Sequence, residues 1–388
     1  MDTFYRPTWV EVSLDAVHHN VSCFRQWLPP EMAMMAVVKA DAYGHGAVEV
    51  LREAVEAGAT YAGVAFLDEA IELRQTGVRL PILVLGYTPP EAIPAALEHD
   101  VTLTVFSQEV LRAAAQHANP EHKLKVHVKL DTGMGRLGLT DTDEAIAFLE
   151  QALGMPEVEV EGVYTHFASS DERDKAYTGM QHNRFDKVIA HFAQQGVTFP
   201  YVHTGNSAAA IDCPELSYNM VRLGISMYGL YPSEEVHMER LDLQPVMSLY
   251  TKPVMVKTVP PGTGISYGVT YRTKDEETIA TLPVGYADGY SRMLSGRVEA
   301  LVQGKRVPVV GRICMDQCMI NATALDQVTL DDEVVLMGRQ GAECISAENL
   351  ATLLGTVNYE ITCMISHRVP RVYIKNGQRV KVSNPLLR

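Results

Sequence analysis

Lys39 stands at the end of an apolar, strand-like run, Met34-Met35-Ala36-Val37-Val38, and directly before a glycine-punctuated segment, Ala40-Asp41-Ala42-Tyr43-Gly44-His45-Gly46. A lysine delivered by a buried strand into a partly desolvated cavity has its ammonium form disfavoured. Its amine is then available for Schiff-base formation and proton transfer. Barrel enzymes gather their reactive groups at such strand ends. Taken alone, a Lys-Ala pair at a strand end reads more simply as a solvated lysine, so other segments must supply the rest of a site.

Several do. Further strand ends collect Asp131 with Gly133-Met134-Gly135-Arg136, Tyr164 and His166, His203 with Asn206-Ser207, and Arg222 with Gly224-Ile225. Each has an ordinary explanation: His166 as a satisfied core imidazole, Arg222 as a surface ion-pair partner, Gly224 as a tight turn. Their shared placement is what points to a site. The segments His203 to Ala208 and Arg222 to Ile225 suit an anion, since backbone N–H groups and a hydroxyl can converge where glycine lets the backbone approach closely. Cys314 and Cys318 lie four apart, but neither a second cysteine pair nor a His-x₃-His partner accompanies them, and a structural zinc site needs four ligands. They read as reduced thiols, and no metal is expected.

The elements that would position these residues alternate. Between about residues 30 and 230, short β-rich runs are each followed by a helix-like segment, the pattern of βα units on a parallel sheet. Eight runs are present: Met34 to Lys39, Ala62 to Phe66, Pro81 to Gly86, Val101 to Phe106, Lys125 to Asp131, Val160 to Phe167, Tyr201 to Thr204 and Met220 to Met227. Val48, Leu51 and Val55 ahead of Gly58, and Phe185, Val188, Ile189 and Phe192 ahead of Gly196, have helical spacing. A doubly wound sheet alternates likewise; the anion-type segments after the seventh and eighth runs favour an eight-stranded (β/α)₈ barrel. After about residue 240 the runs are β-rich and separated by Gly, Pro and Asp turns: Met247 to Val259, Thr278 to Tyr286, Arg297 to Val302, Val307 to Gly311, Glu333 to Gly338 and Arg371 to Ile374. The expected organisation is a barrel over residues 1–240 and a mostly β domain over 241–388, with Trp9 to Leu14 pairing with the second domain.

With 33 basic against 47 acidic residues, a formal charge of −14 repels nucleic acid and anionic membrane surfaces. No window approaches the ~20 apolar residues of a membrane span. Met1 to Pro7 lacks a basic region followed by an apolar stretch, and six cysteines in 388 residues suit a reducing compartment, so a cytoplasmic location is expected.

Lys129 is a separate feature. The alternation of Val126, Val128 and Leu130 with His127 and Lys129 turns its side chain toward the barrel interior, near Arg136, where two cations repel.

These segments and several later ones, taken in order, resemble the motifs of bacterial alanine racemases. They comprise Ala36 to Gly46, Lys129 to Gly138, Tyr164 to Phe167, His203 to Ala208, Met220 to Gly229, Ile265-Ser266-Tyr267-Gly268, Gly285 to Gly289, Gly311 to Gln317 and Asn358-Tyr359-Glu360. Asp41 and Gly205 stand where other members carry Asn and Ala. The resemblance implies a pyridoxal 5′-phosphate enzyme, a barrel followed by a β domain, and a homodimer with shared active sites that supplies D-alanine for peptidoglycan. It implies that Lys39 carries the cofactor as an aldimine, that Tyr43, Ser207, Gly224, Ile225 and Tyr359 hold its phosphate with Asn206 nearby, that Arg136 lies against the ring oxygen, and that Arg222 faces the pyridine nitrogen.

Racemisation requires a proton to leave one face of Cα and arrive on the other. By the resemblance Lys39 serves one face and Tyr267, from the second subunit, the other. A phenol with an ordinary pKa near ~10 is a poor base at neutral pH, and His166, tied to Arg222, is the implied helper. Tyr286 and Met315 would crowd the side-chain pocket, with Met315 and Arg136 binding the carboxylate of alanine. In some members the residue matching Lys129 is carbamylated. Two other readings share the cofactor: a decarboxylase of the same architecture, which typically faces the pyridine nitrogen with an acid rather than an arginine, and a single-barrel carrier, which has no use for the β domain holding Tyr267 and Met315.

Overall fold

The computed structural model describes residues 4–387; the first three residues and the last, which fall within the expected domain bounds, lie outside it. The chain forms two compact units, one of 16–42 and 47–244, the other of 1–15, 43–46 and 245–388.

Strand β1 (Thr8–Ser13) opens the chain and belongs to the second of these. The first unit is built on β2 (Ala33–Val37), β3 (Tyr61–Val64), β4 (Ile82–Val84), β5 (Thr102–Val105), β6 (Leu124–Lys129), β7 (Val158–Tyr164), β8 (Tyr201–His203) and β9 (Met220–Leu223). These eight parallel strands run in the order β8-β7-β6-β5-β4-β3-β2-β9 and form a nearly closed barrel. Half of them, β3, β4, β5 and β9, are buried along their whole length, as strands of a parallel sheet covered on both faces are. At the seam between β8 and β9 no continuous ladder forms; the Asn219 side chain accepts from the Val202 N–H (2.8 Å), and the Arg222 N–H donates to the Gly205 carbonyl (3.1 Å).

The strands are shorter than the apolar runs. β2 stops at Val37, β6 at Lys129, β7 at Tyr164, β8 at His203 and β9 at Leu223, after which Ile225–Tyr228 forms a 3₁₀ turn. Phe167, Ile225 and Met227 are apolar because they are buried, not because they are extended. In the helix Ala47–Glu56 the buried face is Val50, Leu51, Glu53 and Ala54, while Val55, expected inside, is 40% exposed. Val50, Leu51 and Ala54 satisfy the same helical spacing, but alanine lacks the bulk that makes such a stripe visible.

In the second unit β10 (Met247–Thr251), β11 (Met255–Val259), β12 (Gly264–Ile265), β13 (Tyr271–Arg272), β14 (Glu277–Leu282), β15 (Glu299–Val302), β16 (Lys305–Val310), β17 (Cys318–Asn321), β18 (Val334–Gln340), β19 (Glu343–Ile345), β20 (Arg371–Lys375) and β21 (Gln378–Ser383) follow in sequence. All but β12 and β13 join β1 in one sheet of order β11-β14-β17-β16-β15-β18-β10-β1-β20-β21, with β19 against β18. β1 pairs antiparallel with β10 (Thr8 with Thr251) and parallel with β20 (Val10 with Arg371). The run Met247 to Val259 divides into two strands at Pro253, which cannot donate to a ladder. Two short helices, Ala347–Leu354 and Asn358–Cys363, complete this unit.

The fully buried Arg371 guanidinium donates to four carbonyls, those of Gly44 (3.1 Å), Ser366 (2.6 Å), Val369 (2.7 Å) and Ile365 (2.7 Å), and so fastens the 43–46 segment to the body of this unit. Gly44 has φ +85°, and a Cβ there would overlap the Thr362 carbonyl. Among the described residues no helix is long and apolar enough to cross a membrane.

Candidate active site

Lys39 lies two residues beyond β2, partly buried, and the backbone after it turns left-handed: Ala40, Asp41, Ala42 and Tyr43 have φ of 52°, 52°, 54° and 54°. Each non-glycine residue so placed costs about 1–2 kcal/mol. Side chains hold the turn in place. Glu69 Oε1 accepts from the Ala40 N–H (2.6 Å) while Oε2 accepts from Ala65 (2.7 Å), and Asp41 Oδ1 accepts from Ala47 (2.8 Å). Nothing in the spacing of the sequence singles out Glu69, because its role depends on β3 bringing Ala65 beside the lysine turn.

Arg222, on β9, is 4% exposed. Its Nη2 donates to the carbonyls of Thr204 (2.8 Å) and Thr165 (3.0 Å) and to His166 Nδ1 (3.0 Å); its Nη1 donates to His203 Nδ1 (2.8 Å). Among the described residues no carboxylate pairs with it. A guanidinium can only donate, so it dictates where each neighbouring imidazole carries its hydrogen. With Nδ1 accepting, His203 is protonated at Nε2 and donates to His127 Nδ1 (2.8 Å), which leaves the His127 hydrogen on Nε2, a buried atom without a partner. His166 is likewise protonated at Nε2 alone. Burial and the Arg222 charge pull His166 and His203 well below the ordinary imidazole range and His127 down to about 3, so all three are neutral. The charges of Arg136, Lys129 and Lys39 push His166 in the same direction.

Lys129 Nζ lies 5.1 Å from the centre of the Tyr164 ring, on which His203 stacks at 4.6 Å. Burial, then Arg136 and Arg222, pull the lysine down to about 7. Arg136 is exposed at the tip of a loop shaped by Asp131, whose carboxylate accepts from Gly133 (3.0 Å), Gly135 (2.9 Å) and Arg136 (2.7 Å). Burial would raise the Asp131 pKa, but the N–H groups of Gly135, Gly133 and Arg136 outweigh it and hold it below the usual range.

After β8, Asn206 caps the helix Ser207–Asp212 by accepting from Ala209 (3.0 Å) and also takes the Ser170 hydroxyl (2.9 Å). The Ser207 hydroxyl accepts the Gly224 N–H at 2.9 Å, so the two segments read as anion-binding meet at the mouth of the barrel, with Ile225 next in the chain. The buried Ser226 hydroxyl beside them has no partner.

The remaining expected residues lie in the second unit. Tyr43 and Tyr359 have ring centres 6.1 Å apart, and burial, then Tyr359, raises the Tyr43 pKa. Tyr267 is 71% exposed on the turn between β12 and β13, beside Ser266 (φ +64°), whose hydroxyl donates to the Arg312 carbonyl (2.5 Å). Tyr286 and Met315 are 40% and 52% exposed, and their segments are joined by Tyr286 N–H to Cys314 O (3.0 Å) and Ala287 N–H to Met315 O (3.1 Å). Cys314 Sγ lies 3.4 Å from Ser266 Oγ, and among the described residues no group of three His, Cys, Asp or Glu could hold a metal ion.

Residues 12–232 match the alanine racemase N-terminal domain and residues 246–373 the alanine racemase C-terminal domain. The chain belongs to the alanine racemase family. Among curated relatives, alanine racemase 2 of Oceanobacillus iheyensis is 48% identical over 97% of this chain and 95% of its own, and alanine racemase of Desulforamulus reducens is 50% identical over 95% and 99%. The crystal structure of Bacillus anthracis alanine racemase with bound L-Ala-P superposes with a TM-score of 0.94 at 49% identity, covering 100% of both chains. A histidine racemase of Leuconostoc mesenteroides has a TM-score of 0.89 at 31% identity, covering 96% of this chain and 100% of its own, so this architecture also serves a larger side chain.

Three residues outside these motifs hold their segments in place. Glu69 supports the lysine turn, His127 terminates the imidazole chain, and Arg371 fastens Gly44. Only His127 carried a sequence signal, its place on the inward face of β6.

Proposed function

We propose that the protein interconverts L-alanine and D-alanine with pyridoxal 5′-phosphate as cofactor. It would act as a cytoplasmic homodimer in which each protomer lends Tyr267 to the barrel of its partner, supplying D-alanine for peptidoglycan. The observation that carries this reading is Arg222. Its bonds leave Nε–H and one Nη1 hydrogen uncommitted, and every group around it is neutral or cationic, so it suits a neutral acceptor such as a pyridine nitrogen. An acid at this place would favour the decarboxylase reading.

The cofactor, when bound, supplies an electron sink that acidifies the substrate Cα–H. Arg222 would donate to the ring nitrogen without giving up a proton, which would keep that sink weak and favour reprotonation at Cα over side reactions. Ser207, Gly224 and Ile225, with Asn206 behind them, offer a hydroxyl and N–H groups to the phosphate, and Tyr43 and Tyr359 are assigned to it on their motifs. Arg136 is assigned to the ring oxygen and, with the Met315 backbone, to the substrate carboxylate; Tyr286 and Met315 limit the side chain. Lys39 Nζ holds and returns the proton on one face of Cα, and Tyr267 Oη does so on the other. Because Arg222 occupies His166 Nδ1, His166 can offer only Nε2–H, and it assists Tyr267 by donating to the phenolate rather than by accepting its proton. Lys129, pulled down to about 7, has the free amine that carbon dioxide modifies, and the resulting anion would orient Arg136.

The test is chiral chromatography of L-alanine incubated with purified, pyridoxal-phosphate-loaded protein, with Lys39→Ala alongside. A one-to-one mixture of enantiomers with the native protein and none with the variant supports the reading; no D-alanine from a protein that holds its cofactor refutes it.

A further inference from the structure

Asp288 is 1% exposed, and two guanidiniums share its Oδ1: Arg6 Nη1 at 2.7 Å and Arg368 Nε at 3.0 Å. Its Oδ2 accepts the Gly285 N–H at 3.0 Å, closing the turn that presents Tyr286. Arg368 does not end there. Its Nη2 reaches out 2.6 Å to Asp316, the exposed neighbour of Met315. One guanidinium therefore spans a buried carboxylate under the Tyr286 turn and a surface carboxylate on the Met315 loop. Between these ends the two segments are already in close register through the Tyr286-to-Cys314 and Ala287-to-Met315 bonds, and a Cβ on Gly285 would overlap the carbonyls of Cys314 and Met315.

The anchoring is asymmetric. Asp288 is fixed from beneath, because its carbonyl accepts the Ser366 N–H (3.1 Å) and Arg6 Nη2 donates to the Arg368 carbonyl (3.0 Å). Among the described residues the Asp316 side chain is held by Arg368 alone, while the loop behind it is held by main-chain bonds, Cys314 N–H to the Gln317 carbonyl (2.8 Å) and the two to the Tyr286 turn. Loss of the guanidinium leaves the Tyr286 turn and its main-chain bonds in place and removes the side-chain tether of the Met315 loop at Asp316.

We propose that Arg368 is a positioning residue for substrate size: by bridging Asp288 and Asp316 it fixes how far Met315 stands from Tyr286, and so how large an amino-acid side chain fits between them. This rests on the assignment of Met315 and Tyr286 to the substrate pocket. A planar fork can engage two carboxylates at once, which lysine's single ammonium does not reproduce.

The experiment compares Arg368→Gln, Asp316→Asn, their combination and Arg368→Lys in the pyridoxal-phosphate-loaded enzyme. Asp316→Asn alters an exposed side chain and leaves the buried pair intact, so it tests the bridge without threatening the fold. Each single variant should raise KM for alanine ~3- to 10-fold with kcat within about twofold, and should raise the serine-to-alanine ratio of kcat/KM. The double variant should be no worse than either single, and Arg368→Lys should fall between native and Gln. Amide exchange over residues 314–317 should quicken in the same variants, a readout that holds even for a protein that racemises no alanine and so separates failure of the bridge from failure of the functional reading. Unchanged exchange and unchanged KM in both single variants, or additive losses in the double, would overturn the proposal.

Discussion

Between pH 6.5 and 5.5 the buried pair His127 and His203 should cost the protein about 2 kcal/mol of stability. Both side chains are 0% exposed and both are neutral in the folded state, with His127 at about 3 and His203 well below the ordinary value. In the unfolded chain each titrates near ~6.5. Below that value the unfolded state binds protons that the folded state does not, so stability is fully present above pH ~6.5 and is lost as pH falls toward the folded pKa values. Integrated over the unit below 6.5, each histidine contributes about 1 kcal/mol. His127→Gln isolates one of them, because its side-chain carbonyl can still accept the His203 Nε2–H while nothing remains to titrate. Urea unfolding at pH 6.5 and 5.5 should show a loss about 1 kcal/mol smaller in the variant than in the native protein. Equal losses in the two would refute the neutral, Arg222-imposed chain of imidazoles.

Three further outcomes follow from single contacts. Unmodified Lys129, at about 7, is mostly neutral above neutrality while the unfolded lysine stays charged, so between pH 7 and ~10 its burden on stability eases as pH rises; in protein kept free of carbon dioxide, Lys129→Met should raise the urea midpoint at pH 7 and flatten the rise toward pH 9. Gly44→Ala combines a positive φ with a Cβ that meets the Thr362 carbonyl, and should lower unfolding free energy by more than about 2 kcal/mol. Ser207→Ala should weaken retention of pyridoxal phosphate on dialysis roughly tenfold while leaving thermal unfolding of the cofactor-free protein within a few degrees, read by absorbance and by calorimetry.

The barrel was legible because eight runs rich in apolar residues, several of them buried on both faces, alternate with helical segments. Their ends were not legible, because Phe167, Ile225 and Met227 are apolar rim residues outside any strand. Lys39, His166, Arg222 and Ser207 were legible as polar groups in or next to the ends of apolar runs. Their pairwise chemistry was not: that Arg222 commits His166 Nδ1 depends on β7 and β9 bringing residues 56 apart in sequence to 3.0 Å. Glu69, Arg371 and Arg368 act on backbone or charge far away in the chain, and no local spacing announces them. The helices Ala347–Leu354 and Asn358–Cys363 are too short to establish a period.

Lys39 and Tyr267 are assigned to opposite faces of Cα. At equilibrium a racemase must treat both enantiomers alike in kcat/KM, so the direct measurement is exchange of the Cα hydrogen for solvent deuterium, followed by proton NMR on each enantiomer separately with Tyr267→Phe. D-alanine should still exchange in place through Lys39, while exchange from L-alanine should fall ~100-fold or more and racemisation with it. Equal loss of exchange from both enantiomers would contradict that assignment.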